Sequence, residues 1–411
     1  MDNRVSIIVN TGKSLHICVW LTLTFIFLTA CSNEGSVQEN VAEEVKDDSE
    51  ELETRDAEHD PVTITIGVRY LHGEEIQRYI VEPVAEKYPW ITVETMGLDF
   101  DALQELLLAD EMPDILITNN INGMPPFEES GLFTSIEDLI EKHDMDLSRF
   151  EPETLDAVRL SSDKDYLVGL PYTRQFMSLY YNKEIFDLFG VPYPEDGLTW
   201  DEVTELAIEL TRESNGVQYR GLEPNVSERL AAQLSLPFVD PETKQSAVTS
   251  EGWRKVFRQL ETIYTIPGNE QIALKGVGNA EFTGDQSLAM FVAVNETHED
   301  GFIDNVDMWD IAQVPVWEEA PTVGGGIDEH IMLLSATSEH RDDAFRVMST
   351  VVSDEVQMDM STQGKLSVLA NPEIQEVFGG DTFVWEGKNI DSIFKTTPAP
   401  PYQLHYMIEK V

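Results

Sequence analysis

The stretch MSLYYNKEIFDLFGVPYPEDGLTWDEVTELAIEL, from Met177 to Leu210, decides the fold. Its aromatic and apolar start predicts a strand, and Asn182 stands where the N-cap of a following helix is expected. After a Pro/Gly turn, Thr199 and Glu202 have the spacing of a capping box. The apolar residues of the second helix then recur at helical spacing: Val203, Leu206, Ala207 and Leu210. The stretch therefore predicts a strand followed by two helices.

The region N-terminal to this stretch alternates strands and helices. VTITIGVRY (Val62–Tyr70), ITVETMG and PDILITNN predict strands, whereas EEIQRYIVEPVAEKY, interrupted by Pro83, and FDALQELLLAD predict helices. This order predicts an α/β layer with parallel strand pairing. Ligands of such sheets lie beyond the carboxyl ends of the strands. The candidate ligand-binding side chains at those ends are Tyr70, Asp99, Asn119 and Asn120.

The C-terminal half also contains predicted strands and a predicted helix, without an internal repeat. DIAQVPV and HIMLLSA, either side of a Gly/Pro-rich segment, predict strands. HRDDAFRVMSTVVS predicts an amphipathic helix.

Length and charge limit the classes of protein. The chain has 411 residues, more than the ~250 to 300 at which a single core stops growing, so two domains are expected. The formal net charge of −49 repels a nucleic-acid backbone and anionic lipid headgroups alike. We expect no nucleic-acid partner, a solvated surface and a monomer; adaptation to an extreme external medium is the alternative explanation of this charge.

The N-terminus predicts export and a lipid anchor. The apolar segment Leu15–Ala30 has sixteen residues, which is short for a transmembrane helix of ~20 but suits an export signal. LTAC, ending at Cys31, resembles the signal-peptidase box of bacterial lipoproteins. We expect residues 1–30 to be a signal peptide and Cys31 to carry the lipid, on the outer face of the cell membrane or the periplasmic side in a double-membraned cell. An ordinary N-terminal membrane anchor is the alternative.

Residues 31–60 predict a flexible acidic tether. From Ser32 to Asp60 there are twelve Asp or Glu against two Lys or Arg, and no aromatic residue. Such a run cannot bury enough apolar surface to offset the entropy of ordering it.

Four segments carry a resemblance to a known family: GLPYTRQFMSLYYNKEIFDLFGV, LTWDEVTELAIELT, GDQSLAM and GGGIDEHIML. Their order and spacing resemble those of the family 1 extracellular solute-binding proteins of ABC importers, which include maltose-binding protein. The resemblance implies an α/β, two-lobed, type II periplasmic-binding-protein-like fold with discontinuous lobes. The first lobe would comprise residues 61–171 plus 310–335 and the second residues 172–309 plus 336–411, with hinges near Pro171–Gln175 and Ala312–Val316.

The same resemblance implies capture of a small solute, expected to be a sugar, and its delivery to ABC permease subunits in the membrane. Gln175 matches a glutamate that accepts hydrogen bonds from sugar hydroxyls in maltose-binding members, and Asn295 follows the strand after which the family commonly places a tryptophan. Aromatic faces and hydrogen-bonding groups suit pyranose rings. The further candidate ligand-binding residues are Tyr172, Arg174, Phe291, Trp317, Gly325 and Trp385.

No enzymatic motif stands out. The sequence has no HExxH, no GxSxG and no phosphate-binding loop, so no cofactor, metal or catalytic residue is expected. Two alternatives stay open: a surface glycoside hydrolase, because the separation of two carboxyl groups cannot be read from sequence, and a ligand-binding partner of a sensor kinase.

Overall fold

The computed structural model describes residues 59–98, 100–109, 111–121, 124–270 and 278–401, and every structural statement below concerns these residues. In chain order the strands are β1 (Val62–Val68), β2 (Ile91–Gly97), β3 (Ile115–Asn119), β4 (Gly169–Arg174), β5 (Met177–Asn182), β6 (Arg212–Ser214), β7 (Val217–Glu223), β8 (Leu288–Val294), β9 (Trp309–Gln313) and β10 (Glu329–Leu334).

The α-helices are α1 (Gly73–Ile76), α2 (Glu82–Lys87), α3 (Phe100–Ala109), α4 (Met124–Glu129), α5 (Glu137–Lys142), α6 (Pro152–Ser161), α7 (Lys183–Phe189), α8 (Trp200–Leu210), α9 (Ser227–Ala232), α10 (Glu251–Tyr264), α11 (Asp300–Asp304), α12 (Arg341–Val351), α13 (Asp354–Thr362) and α14 (Pro372–Glu376). Two π-helical turns and three 3₁₀ turns complete the elements: Gln77–Val81, Ala280–Gly284, Leu147–Arg149, Phe383–Trp385 and Ile390–Lys395. Within the described residues, no helix combines the length and hydrophobicity needed to span a membrane.

The strands form two five-stranded sheets, one in each lobe. The lobe 1 sheet has the order β2-β1-β3-β10-β4, in which β1 runs parallel to β2 and β3, whereas β10 runs antiparallel to β3 and β4. The parallel pairing predicted for the first three strands is confirmed. The lobe 2 sheet has the order β6-β7-β8-β5-β9, with β7 parallel to β8 and β5 antiparallel to both of its neighbours.

Local signals in the sequence correspond to observed caps. The Asn182 side chain accepts hydrogen bonds from Glu184 N (2.9 Å) and Ile185 N (3.2 Å) at the start of α7. Thr199 and Glu202 form the predicted capping box of α8. Pro83, expected to bend or interrupt the first helical segment, does not end it: the backbone stays helical from Gly73 to Lys87. A π turn over Gln77–Val81 leads into α2, and the proline falls in the first turn of α2, where its missing N–H costs little.

The chain passes between the lobes at places that partly differ from those predicted. It leaves lobe 1 after β4 and enters lobe 2 at β5, so the first crossover is at residues 175–176. The return comes between Trp317 and β10, after the predicted hinge at Ala312–Val316. That hinge and the assignment of residues 310–317 to lobe 1 are wrong, because Ala312 pairs with Leu179 in the lobe 2 sheet and Trp317 packs in the lobe 2 core.

The boundary predicted at residue 336 is also wrong. Phe345, Val347 and Met360, from α12 and α13, belong to the lobe 1 core together with β1, β3 and β10. The chain reaches lobe 2 again only after α14, where Phe378 and Trp385 join the second core cluster of that lobe. The sequence did not indicate which lobe α12 joins, because its apolar stripe can pack against either sheet.

A cluster of charges attaches α12 to the rest of lobe 1. The Asp342 carboxylate, near the start of α12, accepts hydrogen bonds from Lys142 Nζ (2.6 Å), at the end of α5, and from His143 Nε2 (2.9 Å). Arg346 pairs with the same carboxylate one turn further along the helix. Burial by itself raises the pKa of Asp342, but the hydrogen bonds from Lys142, His143 and Arg346 hold it below its ordinary value.

The Asp342→Asn substitution is expected to lower the free energy of unfolding by about 1 to 2 kcal/mol at pH 7, because it removes hydrogen bonds between charged groups. A carboxyl group whose pKa is lowered in the folded state stabilises the fold above its unfolded pKa of about 3.9 and loses that contribution as the pH falls. Urea unfolding from pH 7 to pH 3 should therefore show the difference shrinking. Asp156→Asn, at an exposed pair with Arg159, is the control and should change little; an equal effect of both substitutions would contradict the assignment.

Candidate functional site

A cavity of about 630 Å³ lies between the lobes, at the edge where the strands of lobe 1 end. From lobe 1 it is lined by residues that follow β1, β3 and β4 or begin β10: Arg69, Tyr70, His72, Asn119, Arg174, Gln175 and His330. From lobe 2 it is lined by residues that follow β8 and by the 3₁₀ turn near the C-terminus: Val294, Asn295, Thr297, His298 and Trp385. Both sheets thus present strand ends to one space, which is where open α/β sheets bind ligands.

A second cavity of about 230 Å³ adjoins the first. The two cavities share Arg174, Gln175, Val294 and Asp328. The other walls of the second cavity include Met177, Arg229, Gln375 and the glycine run 324–326. Residues of both crossovers therefore line both cavities.

Aromatic rings form one side of the larger cavity. Tyr70 stacks on His330 with ring centroids 4.4 Å apart and an interplanar angle of 13°. Burial lowers the pKa of His330 to about 4, so this ring is neutral at neutral pH. The pair presents a rigid, uncharged surface of the kind that packs against apolar ligand faces.

Several charged groups at the two cavities are already paired. Lys365 Nζ lies 2.5 Å from Glu75 Oε1, and Arg229 Nη1 lies 2.8 Å from Asp328 Oδ2. Arg78 forms a bidentate salt bridge with Asp359, in which Nε donates to Oδ2 (2.6 Å) and Nη2 donates to Oδ1 (2.5 Å). Because their charges are compensated within the protein, these groups offer hydrogen bonds to a neutral ligand more readily than a net charge to an ionic one.

Gln175 occupies the centre of the site. Its backbone N–H donates to the Asp328 carbonyl (2.7 Å), which joins the outgoing crossover to the returning one. Within the described part of the chain its carboxamide makes no hydrogen bond, although the residue lines both cavities. Strand alternation would put Arg174 and Gln175 on opposite faces, but β4 ends at Arg174, so Gln175 lies in irregular backbone and both residues reach the cavities.

Seven of the residues predicted from sequence line these cavities: Tyr70, Asn119, Arg174, Gln175, Asn295, Gly325 and Trp385. They differ in what they can offer. Asn295 already donates to the Gly364 carbonyl (3.2 Å) of lobe 1, and Arg174 Nε donates to the Ser367 carbonyl (3.0 Å), where burial lowers the pKa of the guanidinium. Trp385 is 2% exposed and belongs to the lobe 2 core, so it supports the cavity wall and does not offer an exposed ring face for stacking.

Four predicted residues are buried in the scaffold instead. The Asn120 side chain donates to the Ile327 carbonyl (2.9 Å) and accepts from Glu329 N (3.0 Å), which fixes the start of β10. The other three pack in the cores and do not line the two cavities, because their rings fill space beneath the sheets: Tyr172, Phe291 and Trp317. The remaining two predicted sites, Asp99 and Cys31, lie outside the described residues.

The prediction from sequence missed Asp328, His330 and Arg229. Asp328 and His330 were visible in GGGIDEHIML, but β10 was not recognised as antiparallel, so its beginning was not expected beside the ends of β1 and β3. Arg229 lies on α9, which follows the carboxyl end of β7, and the same rule of strand ends would have indicated it. Among the described residues no group of three His, Cys, Asp or Glu side chains is arranged to hold a metal ion.

Comparison with known proteins agrees with this geometry. The family model described as bacterial extracellular solute-binding protein matches residues 73–358. No curated protein sequence matches the chain. Among solved structures, the fold is shared with an ABC substrate-binding protein of Listeria monocytogenes in complex with cycloalternan, at 18% identity and a TM-score of 0.67, covering 84% of this chain and 89% of that one.

Two further structures share the fold. The sugar-binding protein MalE of Xanthomonas citri is 17% identical with a TM-score of 0.63, covering 83% of this chain and 87% of that one. UgpB of Mycobacterium tuberculosis, in complex with glycerophosphocholine, is 17% identical with a TM-score of 0.63, covering 83% and 88%. The family consists of extracellular binding proteins rather than enzymes, which implies that this protein is exported and binds a small solute. The match over residues 73–358, together with the cleft between two α/β lobes, shows that the chain belongs to the bacterial extracellular solute-binding proteins.

Proposed function

We propose that this protein is the monomeric substrate-binding lipoprotein of an ABC importer, capturing a carbohydrate in the cleft between its lobes and delivering it to a membrane permease. The observation that carries the choice of ligand is the combination of compensated charges with the free Gln175 carboxamide. A glutamine side chain both donates and accepts, as sugar hydroxyls do. The Tyr70–His330 pair adds a flat surface for the C–H face of a pyranose.

The choice between neutral and anionic ligands rests on the pairing of the cations. The Listeria and Xanthomonas proteins are named for binding cycloalternan and sugar, whereas the Mycobacterium protein holds a phosphodiester. In this chain Arg78, Arg229 and Lys365 all pair with carboxylates at the cleft. The phosphate group of a phosphodiester, including that of zwitterionic glycerophosphocholine, would have to compete with those carboxylates, so a neutral sugar is favoured.

The proposal predicts a selective increase in thermal stability with sugars. A ligand at ~100 times its dissociation constant adds ~2.7 kcal/mol to the stability of the folded state. In a thermal-shift panel of mono- to hexasaccharides of the malto, cello and manno series, we expect at least one series to raise the melting temperature and glycerophosphocholine not to. Chromatography of the incubated sugars should show them unchanged. A shift with glycerophosphocholine alone, or hydrolysis of the sugar, would contradict the proposal.

Replacing Gln175 should weaken sugar binding without unfolding the protein. In Gln175→Ala a bound hydroxyl would lose its partner, which costs about 1 to 3 kcal/mol of binding free energy in calorimetry, while the melting temperature of the free protein should change little. Gln218→Ala, at an exposed site on β7, is the matched control. If Gln175→Ala bound as tightly as the wild type, the residue would belong to the scaffold.

The proposed anchor is a diacylated Cys31. Each buried methylene of a lipid chain adds ~0.8 kcal/mol of membrane affinity, and two chains suffice for stable anchoring. Cys31→Ser should therefore accumulate as unprocessed precursor in cell fractionation, with Cys18→Ser as the control that is processed normally. A Cys31→Ser protein that is processed and held in the membrane like the wild type would rule out the lipoprotein.

A further inference from the structure

We infer that the second cavity is a subsite for the distal part of a linear oligosaccharide, and that the missing side chain of Gly325 keeps it open. The inference rests on the proposed carbohydrate function and goes further by assigning a chain length. A sugar in the larger cavity alone would leave the adjoining 230 Å³ unused, whereas a longer chain would run past Gln175 into it. The two cavities would then form one elongated site.

The residues at the junction can serve both cavities. Arg174, Gln175 and Asp328 line both of them. Asp328 pairs with Arg229 through Oδ2 (2.8 Å), while its buried Oδ1 has no hydrogen-bond partner among the described residues. A buried acceptor without a partner is costly, so a donor is expected to reach it in the working state of the protein. A hydroxyl of a sugar that passes through the junction is such a donor.

The walls of the second cavity have the character of a sugar site. Gln375, Thr396 and Thr397 supply neutral hydrogen-bonding side chains, and Met177 and Phe394 supply apolar surface. Five charged residues also line the cavity: Glu151, Glu153, Arg174, Arg229 and Asp328. Polar groups among apolar walls are typical of sites for small molecules.

Gly325 differs from the glycines beside it. A Cβ on Gly326 would come within 2.8 Å of Ala232 Cβ, and a Cβ on Gly324 would collide with Thr396. Close packing therefore explains why both positions are glycine. A Cβ on Gly325 would meet only the Met177 side chain, with its sulfur 3.2 Å away, and the backbone of Gly325 is not in the left-handed region. Neither backbone strain nor close packing of main chains requires glycine at position 325. We therefore attribute this glycine to the need to keep the cavity open.

The test is the dependence of affinity on sugar length. Calorimetry with the malto, cello and manno series from one to six units is made on wild type, Gly325→Leu and Gly284→Leu. Gly284 is the matched control, because it is exposed, has no atom near its Cβ position and lies outside both cavities. We expect Gly325→Leu to bind the longest sugars at least tenfold more weakly and to bind mono- and disaccharides as the wild type does. Gly284→Leu should match the wild type at every length.

A second variant covers the case in which Gly325→Leu does not fold. Thr397→Trp narrows the same cavity from an exposed position on the neighbouring segment, whose backbone pairs with residues 322–325, and should give the same loss confined to long sugars. Equal affinity of wild type and both variants at every length, or an equal loss at every length, would overturn the subsite. If no sugar bound even to the wild type, the proposed function itself would fail, and the subsite with it.

Discussion

The hydrogen bond from Gln175 N–H to the Asp328 carbonyl joins the two segments on which the arrangement of the lobes depends. On one side of it β4 and β10 pair antiparallel, with Arg174 opposite Glu329; on the other side β5 begins lobe 2. Glu329 is fully buried, and burial raises the pKa of its carboxyl well above the ordinary value, while the nearby Arg174 charge lowers it. The crossover is thus stabilised by main-chain pairing.

The binding site follows from this constraint. Because β10 is antiparallel to its neighbours, its beginning lies beside the ends of β3 and β4, and Asp328 and His330 enter the cleft from the returning chain. Asp328 then serves two partners, Gln175 through its carbonyl and Arg229 through its carboxylate. One short segment therefore connects the sheet of lobe 1, the crossover and a helix of lobe 2. Any ligand between the lobes contacts groups whose positions are fixed by both.

Local structure was predictable from the sequence where the signal was itself local. The capping residues Asn182 and Thr199 and the first three strands depend on neighbours a few residues away. The lobe boundaries were not predictable. An apolar stripe such as that of α12 indicates that a helix packs against a sheet, but it does not indicate which of the two sheets. The same holds for the site: Tyr70 and Asn119 follow from the rule of strand ends, whereas Phe291 and Trp317 turned out to be core residues because an aromatic side chain suits both roles.

The position of β10 has a consequence for how the chain folds. This strand lies between β3 and β4 in the lobe 1 sheet, yet more than 150 residues separate it from β4 in sequence. Lobe 1 therefore lacks an interior strand until nearly the whole chain is available, and closing so long a loop makes folding slow.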